Sequence, residues 1–208
     1  MVVAPSEPSW MRQCITLKLF VLAVCTCFLV SLAQAGSSPL ETVQTGTETV
    51  LHTLKEHAAD SQKRREEIRK IVDNYFDFDE MAKRSLGPQW NKQSPAKQQE
   101  FVQAFSKFLF NVYIDKIEKY TDEKITYKEK EIQGDFALVD ALVVGNQSGQ
   151  IPLTYHLHLK DGNWKAYDVV IEGVGLVENY RSQFDSILSN GSFEDLLKQL
   201  REKNIQRT

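Results

Sequence analysis

The sequence predicts a domain of the α+β class, with about six helices packed around a four-stranded, curved antiparallel meander. Residues 39–120 place apolar side chains at the three-and-four spacing of helices, residues 125–171 alternate with the two-residue period of strands, and residues 175–203 return to helical spacing. Helices on both sides of an unbroken block of strands are typical of this class, in which the helices lie over one face of the sheet.

The helical stretches carry recognisable start signals. Ser94 and Pro95 give an N-cap and a first helical residue for the longest helix, which is expected to extend to about Tyr120. Its apolar stripe is wider than one neighbouring helix requires, which fits either a helix packed on two elements or a helix that lines a cavity. The other helices are expected to begin near Pro39, Ser61, Asp77, Gly175 and Ser192.

The last strand and the helix after it form one continuous segment, from Trp164 to Phe184. The two-residue period places Tyr167, Val169 and Ile171 on one face of the strand and Asp168 on the opposite face, toward solvent. Beyond the glycines at 173 and 175 the spacing becomes helical. This segment is therefore expected to fasten the sheet to a helix, with both apolar faces directed into one interior.

The first 35 residues have the pattern of a cleaved signal peptide. Basic residues precede an apolar run from Leu19 to Leu32, which is shorter than the roughly 20 residues of a transmembrane helix, and a small-x-small site follows at Ala33–Ala35. Cleavage there would leave one domain, residues 36–208, without cysteine, because all three cysteines precede the cut. An uncleaved anchor and a lipoprotein are the alternatives.

Composition and motifs argue against most catalytic and nucleic-acid-binding classes. The formal net charge of −3 and the lack of a basic tract disfavour nucleic acid as a partner. His156 and His158 share a strand face, but no carboxylate pattern accompanies them, so no metal site is predicted. Asp140 and Asp168 interrupt apolar strands, and a carboxylate in an apolar cavity could act as the general base of a cone-shaped isomerase. That enzyme is the alternative from another class.

Four segments of the sequence contain distinctive motifs: Tyr75–Ala82 (YFDFDEMA), Leu86–Gly87 with Trp90, Ile151–Leu153 with Tyr155, and Tyr167–Phe184. These motifs resemble those of the MlaC family of periplasmic phospholipid-binding proteins, also described as toluene-tolerance or ABC-transporter auxiliary proteins. The resemblance covers nearly all of residues 40–205, and the last motif is specific.

The resemblance implies a single lipid-binding domain in the periplasm of a Gram-negative bacterium, without enzymatic activity and without a cofactor. Family members hold a phospholipid by its acyl chains between a sheet and helices. They shuttle it between an outer-membrane lipoprotein complex and an inner-membrane ABC transporter whose MCE-domain subunit receives the lipid, a system associated with outer-membrane lipid asymmetry. A related branch is associated with hopanoids, so a hopanoid or another hydrophobic ligand is the alternative cargo.

The expected ligand sets the expected lining. Transfer of an acyl chain of about 16 carbons from a membrane into water is unfavourable by a free energy on the order of 12 kcal/mol, so a carrier needs a deep apolar cavity. Arg181 is the candidate phosphate contact at the rim, with an ion pair to Glu178 or Asp185 as the alternative. The predicted lipid-binding residues are Phe105, Leu109, Val112, Tyr113, Val143, Tyr155, Leu157, Tyr167, Val169, Ile171, Val174, Val177 and Tyr180.

Overall fold

Helices flank a block of strands in the computed structural model, which describes residues 36–119, 124–145 and 149–205. The predicted signal peptide and Tyr120, the predicted end of the longest helix, lie outside the described residues. In chain order the elements are α1 (Pro39–Glu56), α2 (Ser61–Tyr75), α3 (Phe78–Leu86), a 3-10 helix (Gly87–Lys92), α4 (Pro95–Ile117), β1 (Lys124–Gln133), β2 (Phe136–Gly145), β3 (Gly149–Lys160), β4 (Asn163–Ile171), β5 (Val174–Gly175), α5 (Leu176–Asn190) and α6 (Phe193–Ile205).

The strands form one antiparallel sheet in the order β1-β2-β3-β4-β5, which confirms the meander and the α+β class. The predicted strand count was one too low. Glu172 and Gly173 have φ values of 51° and 85° and form a two-residue turn that folds Val174 and Gly175 back onto β4. A strand of two residues is too short to show an alternating pattern in the sequence.

A β-bulge interrupts the pairing of β3 with β4. His156 pairs with Asp168, but the next residue, Leu157, pairs with Ala166, so Tyr167 is an extra residue in β4. A bulge of this kind shifts the alternation of side chains between the two faces of the strand.

The bulge turns Tyr167 away from the face that Val169 and Ile171 share. The Tyr167 ring contacts His156 and His158, with ring centroids 6.0 and 5.5 Å away, on the opposite face of the sheet. The predicted common face of Tyr167, Val169 and Ile171 is therefore wrong for Tyr167. The two-residue period correctly places Val169 and Ile171 on one face of β4.

Asp168 joins β4 to α5. Its Oδ1 atom accepts hydrogen bonds from the backbone N–H of Val169 (2.8 Å) and from that of Val177 (3.0 Å), in the first turn of α5. Helix α5 has no side-chain cap at its own N-cap residue, so Asp168 supplies the negative charge that a helix N-terminus favours. A Cβ on Gly175 would lie 3.2 Å from Asp168 Oδ2. The expected solvent exposure of Asp168 is wrong, since the residue is 8% exposed.

Asp77 joins the helices to the sheet at a second point. Its carboxylate caps α3 by accepting from the Glu80 N–H (3.1 Å), and it binds His158 Nε2 (2.9 Å) and Lys160 Nζ (2.8 Å). Its own N–H donates to the carbonyl of Ala166 (2.8 Å). Burial acts to raise the pKa of Asp77, but these hydrogen bonds outweigh it and lower the pKa. The chain between α2 and α3 is thereby fixed against β3 and β4.

The largest packed cluster lies among α3, α4, α5 and α6. At its centre are Phe101, Phe105, Tyr180 and Phe184, whose neighbouring ring centroids are 5.3 to 5.9 Å apart. Contacts of this kind stabilise a core beyond the area that they bury. Helix α4 is therefore supported along one side by a solid aromatic core.

We expect Asp168→Ala to lower the free energy of unfolding by about 2 to 4 kcal/mol, because it leaves two buried N–H groups without an acceptor. Urea unfolding followed by circular dichroism would show a lower midpoint at an unchanged slope. Asp185→Ala, at an exposed position on the same helix, is the matched control and should cost less than about 0.5 kcal/mol. Equal losses in the two variants would contradict the capping role.

Candidate functional site

An apolar cavity of about 450 Å³ lies between the sheet and helices α1, α2 and α4. This volume is within the range of about 300 to 1,000 Å³ that is typical of ligand pockets. The side chains that the sheet contributes are Ile125, Val143, Ile151, Leu153, Tyr155, Leu157, Ala166, Val169 and Ile171. The cavity is therefore lined mainly by aliphatic and aromatic groups, with little to attract a polar ligand.

Helix α1 presents threonine to this cavity without exposing free hydroxyl groups. The helix begins with a capping box between Ser38 and Glu41. Thr42 Oγ1 donates to the Ser38 carbonyl (2.9 Å) and Thr47 Oγ1 donates to the Val43 carbonyl (2.8 Å). Because these protons are used within the helix, the two lining residues Thr42 and Thr47 can face the cavity with their methyl groups.

Tyr155 places a phenol hydroxyl in the apolar lining. Burial raises the pKa of Tyr155 to about 12, and hydrogen bonding with Thr47 opposes the shift in part. Burial likewise raises the pKa of Tyr127, which also hydrogen-bonds with Thr47. Thr47 is thus the hydrogen-bond partner of both phenols, and an apolar ligand can lie beside these groups without displacing that partner.

Two charged residues mark where the cavity meets solvent. Lys116 near the end of α4 and Glu172 in the β4–β5 turn both line the cavity, and both are exposed. The Lys116 ammonium lies 5.3 Å from the centroid of the Tyr113 ring, which also lines the cavity. Within the described part of the chain, Lys116 has no carboxylate at ion-pair distance. The mouth therefore carries a cation that is available to a ligand.

About half of the residues predicted to bind lipid lie in this lining. They are Leu109, Tyr113, Val143, Tyr155, Leu157, Val169 and Ile171. Both interpretations of the wide stripe on α4 apply, because Leu109 and Tyr113 contact the aromatic core and also line the cavity.

The remaining predicted residues lie outside the lining. Phe105 and Tyr180 are in the aromatic core, and Val112 packs against it. Val174 is 57% exposed on β5, where the short hairpin carries it away from the interior. Tyr167, Val177 and Arg181 line a different pocket, on the other side of β4.

Arg181 therefore does not have the predicted position at the cavity rim. Neither of its predicted alternative partners, Glu178 and Asp185, forms an ion pair with it among the residues that the structure describes. The cation at the cavity mouth is Lys116 instead.

The contribution of α1 and α2 to the lining was missed from the sequence. Their lining residues include Val43, Val50, Leu51, Leu54 and Val72. The apolar spacing of α1 indicates a buried face. Spacing gives no sign, however, of whether a buried face meets other side chains or an empty volume.

Neither carboxylate of the isomerase alternative lines the cavity. Asp140 accepts a hydrogen bond from Thr154 Oγ1 (2.7 Å) and lies 3.8 Å from Lys130 Nζ. Asp168 is occupied by the two backbone N–H groups at the start of α5. Neither Asp140 nor Asp168 is therefore placed to act as a base in this cavity. Across the described ranges, no group of three His, Cys, Asp or Glu residues is arranged to hold a metal ion.

The fold and the cavity define the class of this protein, an α+β domain that encloses an apolar chamber between a meander sheet and its helices. A family model described as MlaC protein matches residues 44–202. The chain belongs to the MlaC family.

Two named relatives and one solved structure are similar to the chain. The intermembrane phospholipid transport system binding protein MlaC of Haemophilus influenzae is 22% identical over 206 residues, which cover 94% of this chain and 95% of the relative. The toluene tolerance protein ttg2D of Pseudomonas putida is 26% identical over 168 residues, which cover 77% of this chain and 78% of that protein.

The solved structure is a phospholipid-binding protein from Ralstonia solanacearum in complex with a phospholipid. It is 26% identical, has a TM-score of 0.73, and the match covers 82% of this chain and 98% of that one. In the part of the present chain that the structure describes, no helix has the length and apolarity needed to cross a membrane.

We expect Tyr155 to remain neutral until the pH approaches 12. Its folded pKa lies above the value of about 10 for an unfolded chain, so the stabilisation is complete below pH 10 and is lost as the pH rises through 12. Carbon-13 NMR of protein labelled at tyrosine Cζ would follow the ionisation, and the spectrum of Tyr155→Phe would assign the signal. Titration of that signal near pH 10 would contradict its burial.

Proposed function

We propose that this protein is a periplasmic phospholipid carrier that holds the lipid by its acyl chains in the cavity between the sheet and helices α1, α2 and α4. The supporting observation is the apolar cavity of about 450 Å³, in a fold that the chain shares with the phospholipid-bound Ralstonia protein. Each buried methylene is worth about 0.8 kcal/mol, so the cavity replaces the hydrocarbon environment that the chains leave behind in a membrane.

The cavity mouth gives the lipid an orientation. The acyl chains lie against the sheet and α4, and the phosphate remains near solvent, where Lys116 supplies a positive charge. Lys116 thus takes the role that the sequence suggested for Arg181. Glu172, at the same mouth, favours a headgroup that also carries a positive charge.

The carrier acts as one lipid-binding domain, residues 36–208, after export and removal of the signal peptide. In this proposal it moves between an outer-membrane lipoprotein complex and an inner-membrane ABC transporter with an MCE-domain subunit. The Haemophilus relative supports this role, since its name places it in an intermembrane phospholipid transport system. The protein is a binding protein in this proposal, and catalyses no reaction.

Protein purified under native conditions should carry phospholipid, which native mass spectrometry and analysis of extracted lipid would detect. Val143→Trp should reduce the lipid-bound fraction at least about twofold, because the indole occupies the cavity. The substitution should lower the free energy of unfolding by less than the roughly 1 to 3 kcal/mol that is typical of a larger side chain in a filled core. Val144→Trp, at the next and more exposed position of β2, is the matched control and should keep its lipid.

Three outcomes would count against the carrier proposal. They are a reproducibly empty wild-type protein, a hopanoid in place of phospholipid, and an equal loss of lipid in the two tryptophan variants.

Lys116→Gln should weaken the uptake of phosphatidylglycerol from vesicles by up to about fivefold, because an exposed ion pair is worth at most about 1 kcal/mol. The difference should shrink at high salt, where exposed charges are screened. Lys119→Gln removes the same charge about one turn away, outside the cavity lining, and should leave uptake unchanged. Equal effects of the two substitutions would show that overall charge, and not the mouth, controls uptake.

A further inference from the structure

A second concave site, here called the outer pocket, lies on the opposite side of β4 from the lipid cavity. It has a volume of about 530 Å³, and its walls include Arg84, Gly87, Trp90, Tyr167 and Arg181. The bulge in β4 creates one of these walls, since it turns Tyr167 to this side of the sheet. The carrier role proposed above leaves this pocket without a use.

Most charged groups of the outer pocket already have partners. Arg84 Nε lies 2.7 Å from Glu80 Oε1, and the Arg84 guanidinium stacks on the Tyr167 ring at 4.3 Å from its centroid. Lys83 Nζ is 3.6 Å from Glu80, and Asp168 accepts its two backbone hydrogen bonds. These groups hold the pocket together and have little capacity left for a ligand.

Arg181 lacks such a partner in the described ranges. It is partly buried, and its guanidinium makes neither a hydrogen bond nor an ion pair with any residue in the described ranges. Glu178, one turn earlier on α5, is exposed and lies beyond ion-pair distance. A partly buried guanidinium without an acceptor favours an anionic partner from outside the chain.

The backbone holds Arg181 in place for such a partner. Gly87 has a φ of 51°, and a Cβ at this position would lie 3.2 Å from Nε and from Nη2 of Arg181. The guanidinium therefore packs directly over the Gly87 backbone. A side chain that is already positioned loses less conformational freedom when it binds.

We propose that the outer pocket is a docking site for an acidic segment of a partner protein, with a carboxylate of that segment paired to Arg181 and an adjacent apolar side chain packed on Trp90. A carboxylate fits better than a phosphate, because the pocket lining has as many carboxylates as cations. The guanidinium of Arg181, which has no partner among the described residues, matches one negative charge.

The dimensions of the pocket favour a polypeptide over a free anion. Its volume of about 530 Å³ far exceeds that of a carboxylate group, and Arg, Trp and Tyr are the side chains that dominate binding energy at protein interfaces. Since β4 separates the pocket from the lipid cavity, a partner bound here leaves the mouth at Lys116 and Glu172 uncovered. The inference does not depend on the identity of the cargo.

The test uses two matched peptides, acetyl-Leu-Glu-Leu-amide and acetyl-Leu-Gln-Leu-amide, titrated into the purified protein. Proton–nitrogen NMR would follow the Nε–H signal of Arg181 and the indole N–H signal of Trp90. The glutamate peptide should shift both signals and bind at least about fivefold more tightly than the glutamine peptide, because its carboxylate forms charge-assisted hydrogen bonds.

Variants separate pairing with Arg181 from general electrostatics. Arg181→Gln should abolish the preference for the glutamate peptide, and Glu178→Gln, which removes a nearby competing carboxylate, should strengthen binding. Lys198→Gln removes one positive charge at an exposed position of α6, outside the pocket, and should change nothing. Lipid content and thermal unfolding would show whether Arg181→Gln remains folded. If Arg181→Gln does not fold, the comparison of the two peptides and the effect of Glu178→Gln still test whether a carboxylate pairs with Arg181.

Two further arms distinguish other anions. Inorganic phosphate alone should shift the Arg181 and Trp90 signals less than the glutamate peptide does, and phosphatidylglycerol vesicles should bind wild type and Arg181→Gln equally. Stronger binding of phosphate would identify a site for a free anion and overturn the proposal. Vesicle binding that depends on Arg181 would identify a membrane-facing site and overturn it too, as would equal binding of the two peptides or none by either.

Discussion

A single buried carboxylate connects the sheet to the C-terminal helices. Asp168 binds the N–H of Val177 and so fixes where α5 begins and in which direction it leaves the sheet. That direction brings Tyr180 and Phe184 against the aromatic residues of α4. Because α4 is supported on this side, its other side can face an empty volume without collapsing onto the sheet. The cavity therefore depends on a hydrogen bond made outside it.

The bulge in β4 divides the functions of the two faces of the sheet. With regular alternation, Tyr167 would lie beside Val169 and Ile171 and would occupy part of the cavity. The extra residue instead sends its ring outward, where it stacks with Arg84. One local irregularity thus keeps a bulky polar side chain out of the apolar chamber and builds a wall of the outer pocket. Bulges often redirect a side chain in this way near functional sites.

The sequence was sufficient for the class of fold but not for the boundary between packed core and cavity. Capping signals such as Ser94 with Pro95 and the alternation of β1 to β4 depend on neighbours along the chain, so they can be read directly. The bulge at Tyr167 depends on how two strands pair. Phe105 and Leu109 are apolar residues one turn apart on α4 and both pack in the aromatic core, but Leu109 also lines the cavity and Phe105 does not, and no pattern in the sequence distinguishes them. The position of Arg181 likewise follows from the turn that precedes α5.

An unfilled chamber is itself a source of binding energy. The side chains that line the chamber of about 450 Å³ lack, on one side, the dispersion contacts that a filled core provides, and an apolar ligand restores those contacts. A protein with this interior is least stable when it is empty. The bound ligand then completes the core. Its affinity reflects the difference in stability between the empty and the loaded protein as well as the contacts that it makes.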